Sequence, residues 1–185
     1  SPSQQICLEG TYQPSKGQTS CIDSPEGTYV ANQGQSEYIE CISGTYQPTT
    51  KSTSCIAADI GNFSSGEMSE IQTPCASGTY QPNPGQSSCL VAEVGYYVPL
   101  IGQSSQDISP YDFYTDSPGS SYLTSCPLNH ITNIQGATSI DYCLLDSDSD
   151  RINDEDDIDD DGDGRLDTVD SCSPGLTDWI SNSTT

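Results

Sequence analysis

Hydrophobic side chains come in short bursts along this chain, and the bursts are periodic. Glycines stand at 10, 27, 44, 61, 78 and 95, each seventeen residues after the last. Two residues beyond each comes an aromatic: Tyr12, Tyr29, Tyr46, Phe63, Tyr80 and Tyr97. The series continues in weaker form as Asp112/Tyr114 and Asn129/Ile131. A second glycine series runs in phase at 17, 34, 85, 102, 119 and 136, with Lys51 and Met68 in its two gaps. Two in-phase series of this length mark a repeat architecture, in which each unit packs mainly on its neighbours. Eight repeats span about residues 7–143.

Within a repeat the pattern reads as a hairpin. "GTYQP" is short and β-prone, and "PSKG" or "PNPG" is turn chemistry. There Pro presets φ and Gly is free to take a positive φ. "GQTSC" is expected to return as the second short strand. One hairpin is marginal alone in water, so neighbours must hold it. Stacking of the tyrosines of successive repeats is the expected source of buried area.

Composition changes the picture of what holds such a chain together. Apolar residues make up 32%, against about 45–50% in ordinary globular domains. With a formal charge of −23, that composition belongs to disordered chains unless staples supply the order. So negative a chain repels nucleic acid and anionic lipid, and its natural counterparts are cations. The nine cysteines supply staples. Cys7, Cys41 and Cys75 are 34 residues apart, as are Cys21, Cys55 and Cys89, so alternate repeats carry a pair fourteen residues apart. Structural zinc sites need closer pairs, and the Gly-, Ser- and Pro-rich loops between these cysteines point to disulfides and an oxidising compartment.

The cysteine repeats, with C-x-x-G-T-Y followed by G-Q-x-S-C, resemble the small cysteine-rich modules of ephrin receptors and tumour-necrosis-factor receptors. The resemblance covers residues 7–90 well and 91–143 loosely. It implies an elongated array of small β modules whose flanking cysteines pair, as Cys7–Cys21, Cys41–Cys55 and Cys75–Cys89. A bridge of that span closes a loop of about 15 residues and stabilises by roughly 3 kcal/mol in the chain-entropy model. The family's further cysteine before the next "GTY" is missing here: Ser24 and Ala58 stand in its place, and the even repeats have no bridge of their own. Cys126 and Cys143 flank the eighth repeat and are the favoured pair, which leaves Cys172 for an inter-chain bridge or a free thiol. The alternative joins Cys143 to Cys172 around the acidic segment that lies between them.

That segment, residues 146–170, is "DSDSDRINDEDDIDDDGDGRLDTVD". It has thirteen acids and two arginines, so it carries −11 of the formal −23. A solvated acidic tail has no reason to keep a register, yet five aspartates recur thirteen residues on. Asp146, Asp148, Asp150, Asp154 and Asp157 match Asp159, Asp161, Asp163, Asp167 and Asp170. These are positions 1, 3, 5, 9 and 12 of a calcium loop, with backbone carbonyls expected at position 7 from Ile152 and Arg165. Calcium takes six to eight hard oxygens, and aspartates at alternate positions of a tightly turning backbone can all point inward. Gly164 fills the sharp-turn position of the second copy; Arg151 holds it in the first. The segment resembles thrombospondin type 3 repeats over residues 146–172, through its "DxDGDG" core. The resemblance implies calcium-filled loops with little other secondary structure. The Asp at position 12, in place of Glu, departs from the bidentate pattern, and millimolar-range affinity would suit an extracellular site.

Catalytic arrangements are sparse. His130 is the single histidine, so a nucleophile–base pair has one candidate base. No phosphate loop or dinucleotide fingerprint appears. Asn62 and Asn182 begin N-x-S/T sequons and are candidate glycosylation sites on a secreted surface. No apolar run approaches the roughly 20 residues of a membrane span, and the chain reads as secreted after removal of a signal.

The sequence therefore predicts a mainly β, small disulfide-rich protein. Its expected organisation is an elongated array of about eight 17-residue hairpin repeats over 1–145, a calcium-stabilised loop segment over 146–172 and a tail over 173–185. The expected function is an extracellular, non-enzymatic, calcium-binding structural protein that self-assembles into a fibre or surface layer. The open-ended array and the odd cysteine count both point that way. The alternative is the ligand-binding or adhesive ectodomain of a receptor or adhesin. Covalent glycans are expected, and neither nucleic acid nor membrane insertion is.

Overall fold

The computed structural model describes residues 6–168. Asp170, Cys172 and Asn182, singled out above, lie outside the described residues. The secondary structure is a succession of two-residue strands in eight antiparallel pairs. β1 (Thr11–Tyr12) pairs with β2 (Ile22–Asp23), and β3 (Thr28–Tyr29) with β4 (Ile39–Glu40). β5 (Thr45–Tyr46) pairs with β6 (Ile56–Ala57), and β7 (Asn62–Phe63) with β8 (Thr73–Pro74). β9 (Thr79–Tyr80) pairs with β10 (Leu90–Val91), and β11 (Tyr96–Tyr97) with β12 (Asp107–Ile108). β13 (Phe113–Tyr114) pairs with β14 (Thr124–Ser125), and β15 (His130–Ile131) with β16 (Leu144–Leu145). By contact the chain divides into two compact bodies. The first is, of the described residues, 6–92 with Val98–Asp107 and Gly119–Ser121. The second is Glu93–Tyr97, Ile108–Pro118 and, of the described residues, 122–168.

The first strand of each hairpin falls where the sequence placed it, on the T-Y pair or the two residues that stand in its place. The second does not. "GQTSC" stays irregular, and the returning strand is the pair after the cysteine, as in Tyr12 opposite Ile22. The reason is where the polar stretch spends its backbone. Between the second and third repeats, Gly27 N donates to Gln47 O at 2.8 Å and Val30 N to Ser52 O at 2.9 Å. In return Cys41 N donates to Gly27 O at 2.9 Å and Lys51 N to Ser24 O at 2.8 Å. The same four bonds recur in the second body between Gly95 N and Thr115 O, Thr115 N and Ala137 O, Ser109 N and Gly95 O, and Gly136 N and Ser109 O. The "GQxS" carbonyls thus serve the preceding repeat. Inside the loop a glutamine amide closes the gap: Gln47 Nε2 donates to Ser54 O at 2.7 Å, and Gln81 does the same to Ser88 O.

Besides the first-series glycines, two positions per repeat are buried. One holds Cys7, Ser24, Cys41, Ala58, Cys75, Ala92 and Ser109; the other holds Val30, Gln47, Ser64, Gln81, Val98, Thr115 and Thr132. They are small or moderate in size because the backbones come so close. A Cβ on Gly44 would overlap the Gly85 carbonyl oxygen, and the same holds for Gly10 on Lys51, Gly27 on Met68, Gly61 on Gly102, Gly78 on Gly119 and Gly95 on Gly136. Each contact reaches two repeats along. The strict glycine series therefore stops at repeat six, because repeats seven and eight have no hairpin two repeats on. Asp112 and Asn129 take over there at φ 68° and 58°, conformations these two residue types tolerate better than most. In the second series Gly17 has open space around it, and a Cβ on Gly34, Gly85 or Gly102 would meet only a side-chain atom, at 3.6, 3.7 and 3.8 Å. That is why Lys51 and Met68 can stand in it, at φ 58° and 53°.

Among the described residues the expected stack of tyrosines is not formed. The repeat tyrosines are mostly half-buried, and the ring pair present is an edge-on contact between Tyr12 and Tyr38 with centroids 5.4 Å apart. Backbone hydrogen bonds and disulfides take the role expected of rings. Cys7–Cys21, Cys41–Cys55, Cys75–Cys89 and Cys126–Cys143 are all bridged, which resolves the open pairing around the acidic segment. Bridgeless repeats keep the same ladder. In one of them Gln72 clamps Asp59 instead, accepting from its N–H at 2.7 Å and donating to its carboxylate at 2.8 Å. Four disulfides fit folding in an oxidising environment. No helix among the described residues is long and apolar enough to cross a membrane.

Candidate metal centre

The acidic segment grows directly out of the last hairpin. The eighth repeat is three residues longer between its cysteines, 17 against 14. The extra length holds a 3-10 turn over Ile140–Tyr142, capped by Ser139. β16 then delivers Asp146 to the place where each earlier repeat puts the first residue of its successor. Cys126 N donates to Asp112 O at 2.9 Å, and Asp146 N donates to Asn129 O at 2.8 Å in the equivalent position. The small buried Cys, Ser or Ala of that position is here an aspartate, and it is only 2% exposed.

The two thirteen-residue copies fold alike. Arg151 N donates to Asp146 Oδ2 at 3.2 Å, and Gly164 N to Asp159 Oδ2 at 3.0 Å. Asp150 N donates to Asp148 Oδ1, and Asp163 N to Asp161 Oδ1. Ile152 N donates to Asp150 Oδ1, and Arg165 N to Asp163 Oδ1. Asp154 N reaches Leu145 O, and Asp167 N reaches Ile158 O. Left-handed residues also match, Ser149 with Gly162 at φ 67° and 66°, and Arg151 with Gly164 at 78° and 89°. Arg151 thus keeps the glycine conformation despite its side chain. Its guanidinium is held by Asp112, at 2.7 Å from Nη2 and 3.3 Å from Nη1 to Oδ2.

Each triad aspartate gives one oxygen to a loop N–H and keeps the other. The structure brings together Asp146, Asp148 and Asp150 in one group and Asp159, Asp161 and Asp163 in a second. One carboxylate oxygen from each member lies within 4.8 Å of the others. Like charges so close repel by roughly 1 kcal/mol per pair in bulk water and about 4 at the effective dielectric of a protein surface. Asp146 Oδ1 and Asp159 Oδ1 are buried and have no hydrogen-bond partner. An orphaned buried carboxylate oxygen at position 1 of both loops fits a cation, since no donor reaches it. These clusters could hold metal ions, and their all-oxygen donor set is of the hard kind. The carbonyl residues Ile152 and Arg165 are fixed through their own N–H groups, as above.

The remaining aspartates do other work in the described geometry. Asp154 accepts from Ser147 N at 2.9 Å and from Ser147 Oγ at 2.8 Å; Asp167 accepts from Asp160 N at 2.9 Å. Asp157 Oδ1 accepts from Ile158 N and Asp159 N, fixing the joint between the loops. Sequence reasoning missed Asn153, which is buried and binds Glu155 N and the Asp156 carboxylate. It also missed Asp160, 5% exposed. Burial first, then repulsion from Asp167, Asp154, Asp157 and Asp148, pushes the Asp160 carboxyl above its ordinary range. The signal for Asp160 was in the thirteen-residue register, where it matches Ser147. Outside the segment, Asn62 lies in β7 with its amide donating to Ile60 O at 3.1 Å. His130 lies in β15 with Nδ1 2.9 Å from Leu128 O.

No protein-family model matches the chain, and a search of curated proteins finds no match.

Proposed function

We propose that the chain is an extracellular, non-enzymatic, calcium-binding structural protein and the subunit of a self-assembling fibre or surface layer. One observation carries the calcium reading: the buried, partnerless oxygen at position 1 of both loops, beside two more carboxylates. Six residues, Asp146, Asp148, Asp150, Asp159, Asp161 and Asp163, would hold the ions. Bound calcium would supply the positive charge that cancels repulsion within each triad, so that metal rather than a hydrophobic core orders the segment. Disulfides and inter-repeat hydrogen bonds stiffen the array, and Asp146 ties the loops to its last repeat. Asn62 and Asn182 are the sites proposed for covalent glycans.

A second reading is a ligand-binding or adhesive ectodomain. It is favoured by the apolar side chains that β2, β4, β6 and β10 expose at one repeat position: Ile22, Ile39, Ile56 and Leu90. Such surfaces mark contacts with partners. Negative-stain electron microscopy in millimolar calcium, with and without chelator, separates the two. Fibres that fray on chelation support the structural subunit. Single particles under every condition contradict it and favour the ectodomain.

A further inference from the structure

We propose a third cation site, built on Asp160 and distinct from the two loop triads. The comparison lies within the molecule. At the second position of the first loop, Ser147 Oγ donates to Asp154 Oδ2 at 2.8 Å. The second loop keeps the backbone half of this clamp, Asp160 N to Asp167 Oδ1 at 2.9 Å. Its side chain, however, is a carboxylate where the first loop has a hydroxyl. An ionised carboxylate cannot donate to its neighbour. Asp160 Oδ1 is buried without a hydrogen-bond partner, in a residue 5% exposed.

This oxygen does not belong to either triad, whose members are the position 1, 3 and 5 aspartates of each loop. Asp160 lines a cavity of about 430 Å³ together with Asn153, Asp154, Glu155 and Cys143–Leu145. Asp148, Asp154, Asp157 and Asp167 all bear on Asp160 electrostatically, and every one repels its charge. A buried charge is stable only when paired or when it coordinates a metal. Among the described residues no Lys or Arg forms a salt bridge with Asp160; Arg151 is held by Asp112, and Lys51 by Asp23. The ligand class is a hard divalent cation that accepts carboxylate oxygens, calcium foremost. Such an ion would join the two loops, with Asp160 from the second and Asp154 from the first in one cavity. The site rests on the reading of the segment as cation-loaded.

Ca²⁺ bound per chain is counted at neutral pH by native mass spectrometry, for the full chain, for Asp160→Ser and for Asp159→Asn. Asp160→Ser copies the arrangement of the first loop and leaves both triads intact. The expected result is three ions for the parent, two for Asp160→Ser and a loss of one triad ion for Asp159→Asn. Equal counts for the parent and Asp160→Ser overturn the third site, even if loop affinity falls, because Asp160 then only assists a triad. Two ions on the parent overturn it without help from any variant and leave the calcium loops standing. No ion at all removes the third site and the calcium reading together.

Discussion

Two glycine substitutions separate close packing from backbone conformation. Gly17 and Gly44 both have positive φ, 79° and 88°. An alanine at either pays the left-handed penalty of about 1–2 kcal/mol, offset by about 0.4–1 kcal/mol from a stiffer unfolded chain. The surroundings differ. A Cβ on Gly17 meets nothing within 4 Å, whereas one on Gly44 overlaps the Gly85 carbonyl. Relieving that overlap strains three bonds: Gly44 N to Ser64 O at 2.7 Å, Ala58 N to Gly44 O at 2.9 Å and Gly85 N to Ala58 O at 2.7 Å. At roughly 0.5–1.5 kcal/mol net for each bond, Gly44→Ala should lose about 2–4 kcal/mol more than Gly17→Ala. Urea unfolding of the oxidised protein in calcium measures both variants against the parent. Midpoints that coincide would refute the claim that backbone contact two repeats apart fixes the glycine series.

Met68→Gly should stabilise by about 0.5–1 kcal/mol in the same assay, since it removes a left-handed non-glycine residue; a lower midpoint would contradict this. Replacing both Cys41 and Cys55 by serine should lower stability by about 3 kcal/mol, the value for a loop of about 15 residues, and a loss under 1 kcal/mol would mean the hydrogen-bond ladder suffices alone. Chelation should open residues 146–168 to protease while the hairpins resist, and equal cleavage with and without chelator would sink the metal-folded segment. In calcium-free solution the raised Asp160 carboxyl keeps its proton in the folded state at pH values where the unfolded chain has released it. Its contribution is therefore full below the ordinary carboxylate value of 3.8 and is lost as pH rises through the folded value. Apo protein should resist protease in this segment better near pH 3.5 than at pH 7, and calcium should cancel the difference.

Much of this was legible in the sequence, for a physical reason. A hairpin that repeats every seventeen residues must repeat its left-handed turns, so glycine marks them, and the bridged cysteines follow the same clock. The pairing within cysteine repeats came from resemblance, and the structure forms those bridges. Legibility failed where partners are non-local. "GQTSC" has strand chemistry but donates its carbonyls to the preceding repeat, which no window of one repeat can reveal. Tyrosines looked like core because they are large, while the real constraint is a close backbone that buries Cys, Ser, Ala, Val, Thr and Gln and leaves the rings half-buried. In the acidic segment, the register of Asp146, Asp148 and Asp150 with Asp159, Asp161 and Asp163 located both clusters. The clamps made by Asp154, Asp157 and Asp167 depend on backbone N–H directions, which spacing alone does not give. Arg151 read as a departure from glycine, and its tie to Asp112, 39 residues away, is a tertiary fact.

Hydrogen exchange of the full chain, followed by mass spectrometry in millimolar calcium and again with chelator, tests the central claim most directly. The amides of Asp150, Arg151 and Ile152, and of Asp163, Gly164 and Arg165, are held by triad carboxylates. The account predicts that peptides covering them are protected in calcium and exchange fast once it is removed, while the Gly27, Val30 and Cys41 amides of the repeat ladder keep their protection. Exchange in residues 146–168 that is the same in calcium and chelator would contradict it.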